Sequence, residues 1–247
     1  MACFPSMNCD YRFFDRHGGV STGAYESLNL GMSVGDSALH VQENRRRVKE
    51  SMGISRLVSA TQVHGDDICF VDDGAVAGDG SVGRYDALIT TAVDTGLLIQ
   101  QADCQAVLLY DKAAPAIGAI HCGWRGSVTG IIGKTVAAMT NYTKSSPESL
   151  RAFISPSLGP CCAEFVNYAD ELPASFLPFQ TSANHFDFWR ISTMQLIEAG
   201  LTAGAVHLAG KCTCCNTDYF SYRRMRRRGL AATGRQGSVI ALVDTVW

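Results

Sequence analysis

The chain has 247 residues, 47% hydrophobic and 18% charged, enough apolar surface for a substantial core without covalent staples. A net charge of −2 argues against a general nucleic-acid binder, and no apolar run reaches the roughly 18 residues of a membrane span. Met1 to Asp10 shows no basic-then-apolar leader, so a cytoplasmic protein is expected, with its ten cysteines as free thiols rather than a disulfide framework.

Taken in chain order, the first predicted element is a helix over Ala38–Met52, with Val41, Val48 and Met52 on one face and Asn44-Arg45-Arg46-Arg47 within it. Strands are predicted at Leu57–Thr61 and Ile68–Val71, and the Gly-rich stretch Asp73 to Gly83 reads as a long surface loop. Four strands follow, at Ala87–Thr90, Leu97–Gln100, Ala106–Tyr110 and Ala116–His121. Ser127 to Tyr142 has helical spacing through Ile131, Ile132, Val136 and Met139, and the polar stretch Asn141 to Glu148 reads as an exposed connection. The last elements are a strand at Ala152–Ile154, a helix over Phe188–Ala199 ended by Gly200, and strands at Val206–Ala209 and Val239–Val243. Strands that are not always separated by helices predict an α/β sandwich, leaning toward α+β, with mixed sheets and flanking helices. No repeat, linker or low-complexity block divides the chain, and one domain over 1–247 is expected.

Three short stretches concentrate the chemistry: Thr61-Gln62-Val63-His64-Gly65, Ala102-Asp103-Cys104-Gln105 and His121-Cys122-Gly123-Trp124-Arg125-Gly126. Two imidazoles and a thiolate suit zinc, and three protein ligands leave its fourth position open for chemistry. The loop Asp111 to Pro115 implies a hairpin; if Tyr110 faces Pro115, Cys104 faces His121 with Cβ atoms about 4.5–5.5 Å apart. A one-residue slip would put them on opposite faces. The same side chains also describe a cysteine nucleophile with a histidine base, or a copper site. A laccase-type oxidase needs more ligands than six histidines with no His-x-His supply. Lys211-Cys212-Thr213-Cys214-Cys215 and the five arginines from Arg223 to Arg228 could form a metal-stabilised nucleic-acid patch; lacking a second ligand pair at zinc-finger spacing, they read instead as buried thiols beside a basic loop.

Together with Gly159-Pro160-Cys161-Cys162, Glu164 and Phe220-Ser221-Tyr222-Arg223-Arg224, these segments resemble the YfiH-like family, also called the laccase-domain or multicopper polyphenol oxidase family. The matching segments run in order from about Asn29 to Arg235. The resemblance implies a single-domain α/β sandwich with zinc, or alternatively copper, held by His64, Cys104 and His121. It implies purine nucleoside chemistry: phosphorolysis of adenosine, inosine and methylthioadenosine, and deamination of adenosine, with a purine nucleoside and phosphate as small-molecule partners. Some members are linked to peptidoglycan precursor editing, which fits the Cys/His hydrolase alternative. Two departures stand out: Gln105-Ala106 replaces the usual proline pattern after Ala-Asp-Cys, and Met225-Arg226-Arg227-Arg228-Gly229 is more basic than the usual ending.

On this reading Cys104 and His121 form the catalytic centre. Arg125 and then Arg45 are the candidates to hold phosphate, because a guanidinium fork binds phosphate oxygens in pairs. Gln62 and Asn44 are further candidate substrate contacts. Asp103 and Glu164 are the candidate proton shuttles, and the sequence does not choose between them.

Overall fold

The computed structural model describes residues 9–71 and 80–243. Leu97, Leu98 and Ile99 are all buried, but Leu97 and Ile99 pack into one core and Leu98 into another. An uninterrupted apolar run divided with period 2 is what a strand covered on both faces requires. That strand, β6 (Thr95–Gln101), is central to a sheet that also contains β1 (Cys9–Phe13), β2 (Arg56–Ser59), β4 (Gly80–Ser81) and β13 (Gln236–Leu242). Its order is β1-β13-β6-β2-β4, antiparallel from β1 to β6 and parallel beyond.

The second sheet contains β3 (Ile68–Phe70), β5 (Ala87–Thr90), β7 (Gln105–Asp111), β8 (Ala116–Cys122), β9 (Leu150–Ile154) and β12 (Val206–Leu208), in the order β12-β9-β7-β8-β5-β3. A ribbon of β10 (Gln180–Ser182) and β11 (His185–Phe186) stands apart. The helices are α1 (Ala38–Met52), α2 (Trp124–Thr129), α3 (Ile131–Thr143), α4 (Tyr168–Glu171), α5 (Phe188–Glu198) and α6 (Tyr222–Arg227).

Between the sheets, Val58, Leu97, Ile99 and Ile240 meet Leu88, Leu108, Ile117 and Phe153. The outer face of the first sheet buries Leu57, Leu98 and Val239 against Val48 and Met52 of α1. The outer face of the second buries Ile89, Val107 and Ile120 against Ile132, Val136 and Met139 of α3. The predicted mixed α/β sandwich is thus observed, as four layers. Among the described residues no helix is long and apolar enough to cross a membrane.

Several local expectations are corrected. The helix predicted over Ser127–Tyr142 begins at Trp124 and breaks at Gly130, whose φ of 76° is left-handed. The strand predicted over Leu57–Thr61 stops at Ser59, so His64 lies in a loop rather than at a strand end. The β7–β8 register pairs Tyr110 with Ile117 and His121 with Ala106, two residues away from the expected pairing. The basic stretch after Ser221 is the helix α6, whose first turn is capped by Ser221 Oγ accepting from Arg224 N at 3.1 Å. The loop predicted over Asp73 to Gly83 lies largely outside the described residues, although Gly80–Ser81 form β4. The leader-free reading of Met1 to Asp10 also falls almost wholly outside them.

Candidate metal centre

Three connections carry the chain from the first sheet to the second, and each delivers one residue to the same point. His64 lies between β2 and β3, Asp86 between β4 and β5, and Cys104 between β6 and β7. The last strand residues of β8 bring His121 up beside them. Cys104 precedes Ala106, the partner of His121, by two residues. Because side chains alternate along a strand, a two-residue change in register preserves the face, and the two ligands still meet.

The ligand atoms of His64, Cys104 and His121 all lie within 4.8 Å of one another. Cys104 Sγ is 3.8 Å from His64 Nε2, close to the roughly 3.6 Å edge of a tetrahedron built from Zn–N of about 2.0 Å and Zn–S of about 2.3 Å. The two imidazoles stand edge to face, with centroids 4.8 Å apart. Gly123 packs against His64 and Cys104 because it has no side chain: a Cβ there would be 2.9 Å from His64 Cδ2 and 3.2 Å from Cys104 Sγ.

Asp86 is the residue that sequence reasoning missed. It is 1% exposed, and its Oδ1 accepts from His121 Nδ1 at 2.8 Å. That bond fixes the His121 tautomer and leaves Nε2 as the ligand atom. The same carboxylate accepts from the backbone N–H groups of Val63, His64 and Gly65 at 3.2, 3.0 and 2.7 Å, so it also shapes the loop that presents His64. No local motif marks it; the only sequence signal is an acidic residue immediately before an apolar strand.

Charge is tightly coupled here. Burial pushes the Cys104 thiol up, but the adjoining His121 and His64 imidazoles hold it below the ordinary thiol range. Burial lowers His121, but the Cys104 thiolate and Asp86 together hold it above the ordinary imidazole range. Burial likewise raises Asp86, yet its bonds from His121 and the backbone N–H groups keep it below the usual carboxylate range. One sulfur and two imidazole nitrogens, one ring oriented by a carboxylate, form the donor set a transition metal takes once it displaces their protons. Cys122, by contrast, is pushed up to about 12 by burial and faces Ser127, away from this chemistry.

A cavity of about 1130 Å³ opens over the three ligands. Gln62, Arg45, Arg125 and Glu164 line it, as do Arg223 and Arg226 of α6. Arg125 is exposed and lies over the Trp124 ring at 4.4 Å. Arg45 is 8% exposed and donates to Leu30 O at 2.8 and 3.1 Å and to Ser59 Oγ at 3.3 Å. Gln62 pairs with the backbone of Gln100 through both amide atoms, at 2.7 and 2.8 Å. Glu164 forms ion pairs with Arg223 at 3.7 Å and Arg227 at 3.9 Å.

Two expected site residues are engaged elsewhere. Asn44 is fully buried: its amide donates to Ser21 Oγ, Ser27 O and Asn29 O and accepts from Val20 N, so it organises the 20–29 loop and is not brought to the cavity wall. Asp103, at a φ of 92°, accepts from Thr213 Oγ1 at 2.7 Å and from Arg223 N at 2.5 Å. Its carboxylate anchors the start of α6. The departure at Gln105 also has a structural use: its buried amide donates to Phe188 O at 3.0 Å and accepts from Ser192, tying β7 to α5.

Residues 10–243 match the model of a family described as multi-copper polyphenol oxidoreductase laccase. The chain is 34% identical over 241 residues to the purine nucleoside phosphorylase YlmD of Geobacillus stearothermophilus, covering 90% of this chain and 88% of that protein. It is 32% identical over 238 residues to the purine nucleoside phosphorylase YfiH of Escherichia coli, with coverage of 92% and 91%. The crystal structure of the Bacillus licheniformis hypothetical protein YfiH superimposes with a TM-score of 0.85 at 29% identity, covering 95% of this chain and 93% of that one.

Proposed function

Since the chain belongs to the multi-copper polyphenol oxidoreductase laccase family, with relatives named purine nucleoside phosphorylase, we propose that it is a zinc-dependent purine nucleoside enzyme. In this reading it cleaves adenosine, inosine and methylthioadenosine with phosphate to give base and ribose 1-phosphate, and it also deaminates adenosine, acting in the cytoplasm. The observation that carries the reading is the convergence of His64, Cys104 and His121 at a cavity with ample room for a nucleoside and phosphate and with arginines on its walls.

Zinc is favoured over copper oxidase chemistry by ligand supply. Among the described residues, only one group able to hold a metal contains histidine, and it has two. When bound by His64, Cys104 and His121, zinc supplies a Lewis acid with an open coordination position.

The chain's own residues divide the remaining work. Arg125, lying over Trp124 and exposed at the cavity, is the first choice to grip phosphate. Arg45 already donates to Leu30 and Ser59, so it shapes the wall and adds positive charge. Glu164 takes the proton-shuttle role ahead of Asp103, whose two oxygens hold Thr213 and α6. Gln62 borders the cavity and fixes its wall to Gln100, and Asn44 acts at one remove as a positioning residue.

A second reading has its own support. Cys104, His121 and Asp86 also form a nucleophile, base and orienting carboxylate in series, the arrangement of a cysteine hydrolase that would suit peptidoglycan precursor editing. Phosphate-dependent inosine cleavage distinguishes the two. It is expected in the zinc-loaded wild type, lost on chelation and reduced at least about 100-fold in His121→Ala. Undiminished cleavage by His121→Ala would refute the site, and full hydrolase activity after chelation would favour the cysteine nucleophile.

A further inference from the structure

A second thiol cluster lies outside the centre described above. Cys161 and Cys162 follow Gly159-Pro160 on the loop after β9, and Cys212 and Cys215 form a C-x-x-C turn after β12. These two segments are 50 residues apart in sequence, but they are laddered together: Ser157 N donates to Lys211 O at 3.1 Å and Thr213 N to Ser157 O at 3.0 Å. The sequence therefore does contain a second ligand pair, on a different loop from the first.

The four sulfurs all lie within 4.8 Å of one another. Cys161 and Cys162 are 3.6 and 3.5 Å from Cys215. A tetrahedral zinc with Zn–S of about 2.3 Å separates its sulfurs by about 3.8 Å. A disulfide requires about 2.05 Å. The observed separations are far too long for a covalent S–S bond and fit sulfurs that share one ion.

We propose that Cys161, Cys162, Cys212 and Cys215 form a closed tetrathiolate site for a structural zinc ion, separate from the His64–Cys104–His121 centre. Four thiolates around one divalent cation leave a net negative charge, and the surroundings offset it. The Gly159 N–H donates to Cys212 Sγ at 3.3 Å, and Arg227 Nη1 lies 3.6 Å from Cys162 Sγ and 4.0 Å from Cys214 Sγ. The thiols release their protons to solvent as they ligate, and no open position remains. The site fastens the loop that carries Glu164 to the segment leading into α6, so the ion braces two walls of the cavity. It does not depend on the nucleoside reading, since a structural ion here serves any chemistry in that cavity.

Elemental analysis of the purified full chain tests the proposal. About two zinc ions per chain are expected in the wild type, about one in Cys212→Ser/Cys215→Ser and about one in His64→Ala/His121→Ala. Cobalt substitution of the histidine variant is expected to show an intense thiolate-to-metal charge-transfer band, absent when Cys212 and Cys215 are also replaced. Cys161 is exposed, and Cys161→Ser alone is expected to surrender one zinc to a chelator that leaves the wild type loaded, even if the double variant does not fold. Zinc content in Cys212→Ser/Cys215→Ser equal to that of the wild type, or a Cys161–Cys215 or Cys162–Cys215 disulfide found by alkylation and mass spectrometry in freshly purified protein, would overturn it.

Discussion

At the level of single residues, Asp86 does more than any one ligand to define the centre, because it holds His121 through a side chain and the His64 loop through three backbone N–H groups. Asp86→Ala leaves all four donors without their acceptor in a buried setting. It is expected to weaken zinc binding 10–100-fold in a chelator competition and to cost about 3 kcal/mol of stability. Unchanged zinc affinity would show that His121 needs no such support. The candidate ligands themselves were legible in the sequence, His64 beside Gly65, Cys104 in a polar break, and His121 near the end of an apolar strand two residues before Gly123. Asp86 was not, because its role depends on which loops the two sheets bring together. Asn44 was misread for the related reason that a polar residue on a helix face gives no sign of whether it turns to a cavity or, as here, to the 20–29 loop.

Among the elements, apolar runs place most of the predicted strands and helices to within a few residues, while β1, β4, β10, β11, α4 and α6, which carry no such run, escape prediction, and ends and pairings follow other rules. The hairpin register moved by two residues because Asp111 pairs with Ala116, leaving a loop of Lys112 to Pro115. Parity was kept, so the ligand pair survived the error. The clustered thiols of Lys211-Cys212-Thr213-Cys214-Cys215 stand out in the sequence and read there as buried thiols, but the cysteines they meet lie on a loop that no spacing rule connects to them. The break between α2 and α3 isolates a backbone effect. Gly130 is left-handed, with nothing within 4 Å of an added Cβ, so Gly130→Ala meets strain and no clash. It is expected to destabilise the protein by about 1 kcal/mol, read as a lowered urea midpoint, with zinc content unchanged. Loss of zinc in this variant would mean that the α2–α3 junction also shapes the centre.

For the molecule as a whole, the connections that join the two sheets supply His64, Asp86 and Cys104, so a bound ion fastens the sheets at one end of the sandwich. Because one core lies between the sheets and each outer core shares its strands, we propose that the chain unfolds as one domain. Thermal denaturation is expected to show one transition, and chelation to lower its midpoint by about 5–10 °C, as follows from losing roughly 2.7 kcal/mol of linked binding energy in a chain of this size. Two separated transitions would divide the chain instead.

The central claim is that two imidazoles and one thiolate share an ion with a vacant position. Zinc-edge X-ray absorption on Cys212→Ser/Cys215→Ser protein, which retains this centre alone, examines that directly. The predicted shell is two nitrogens at about 2.0 Å, one sulfur at about 2.3 Å and one further light atom. A shell without sulfur, or one made of sulfur alone, would contradict the account.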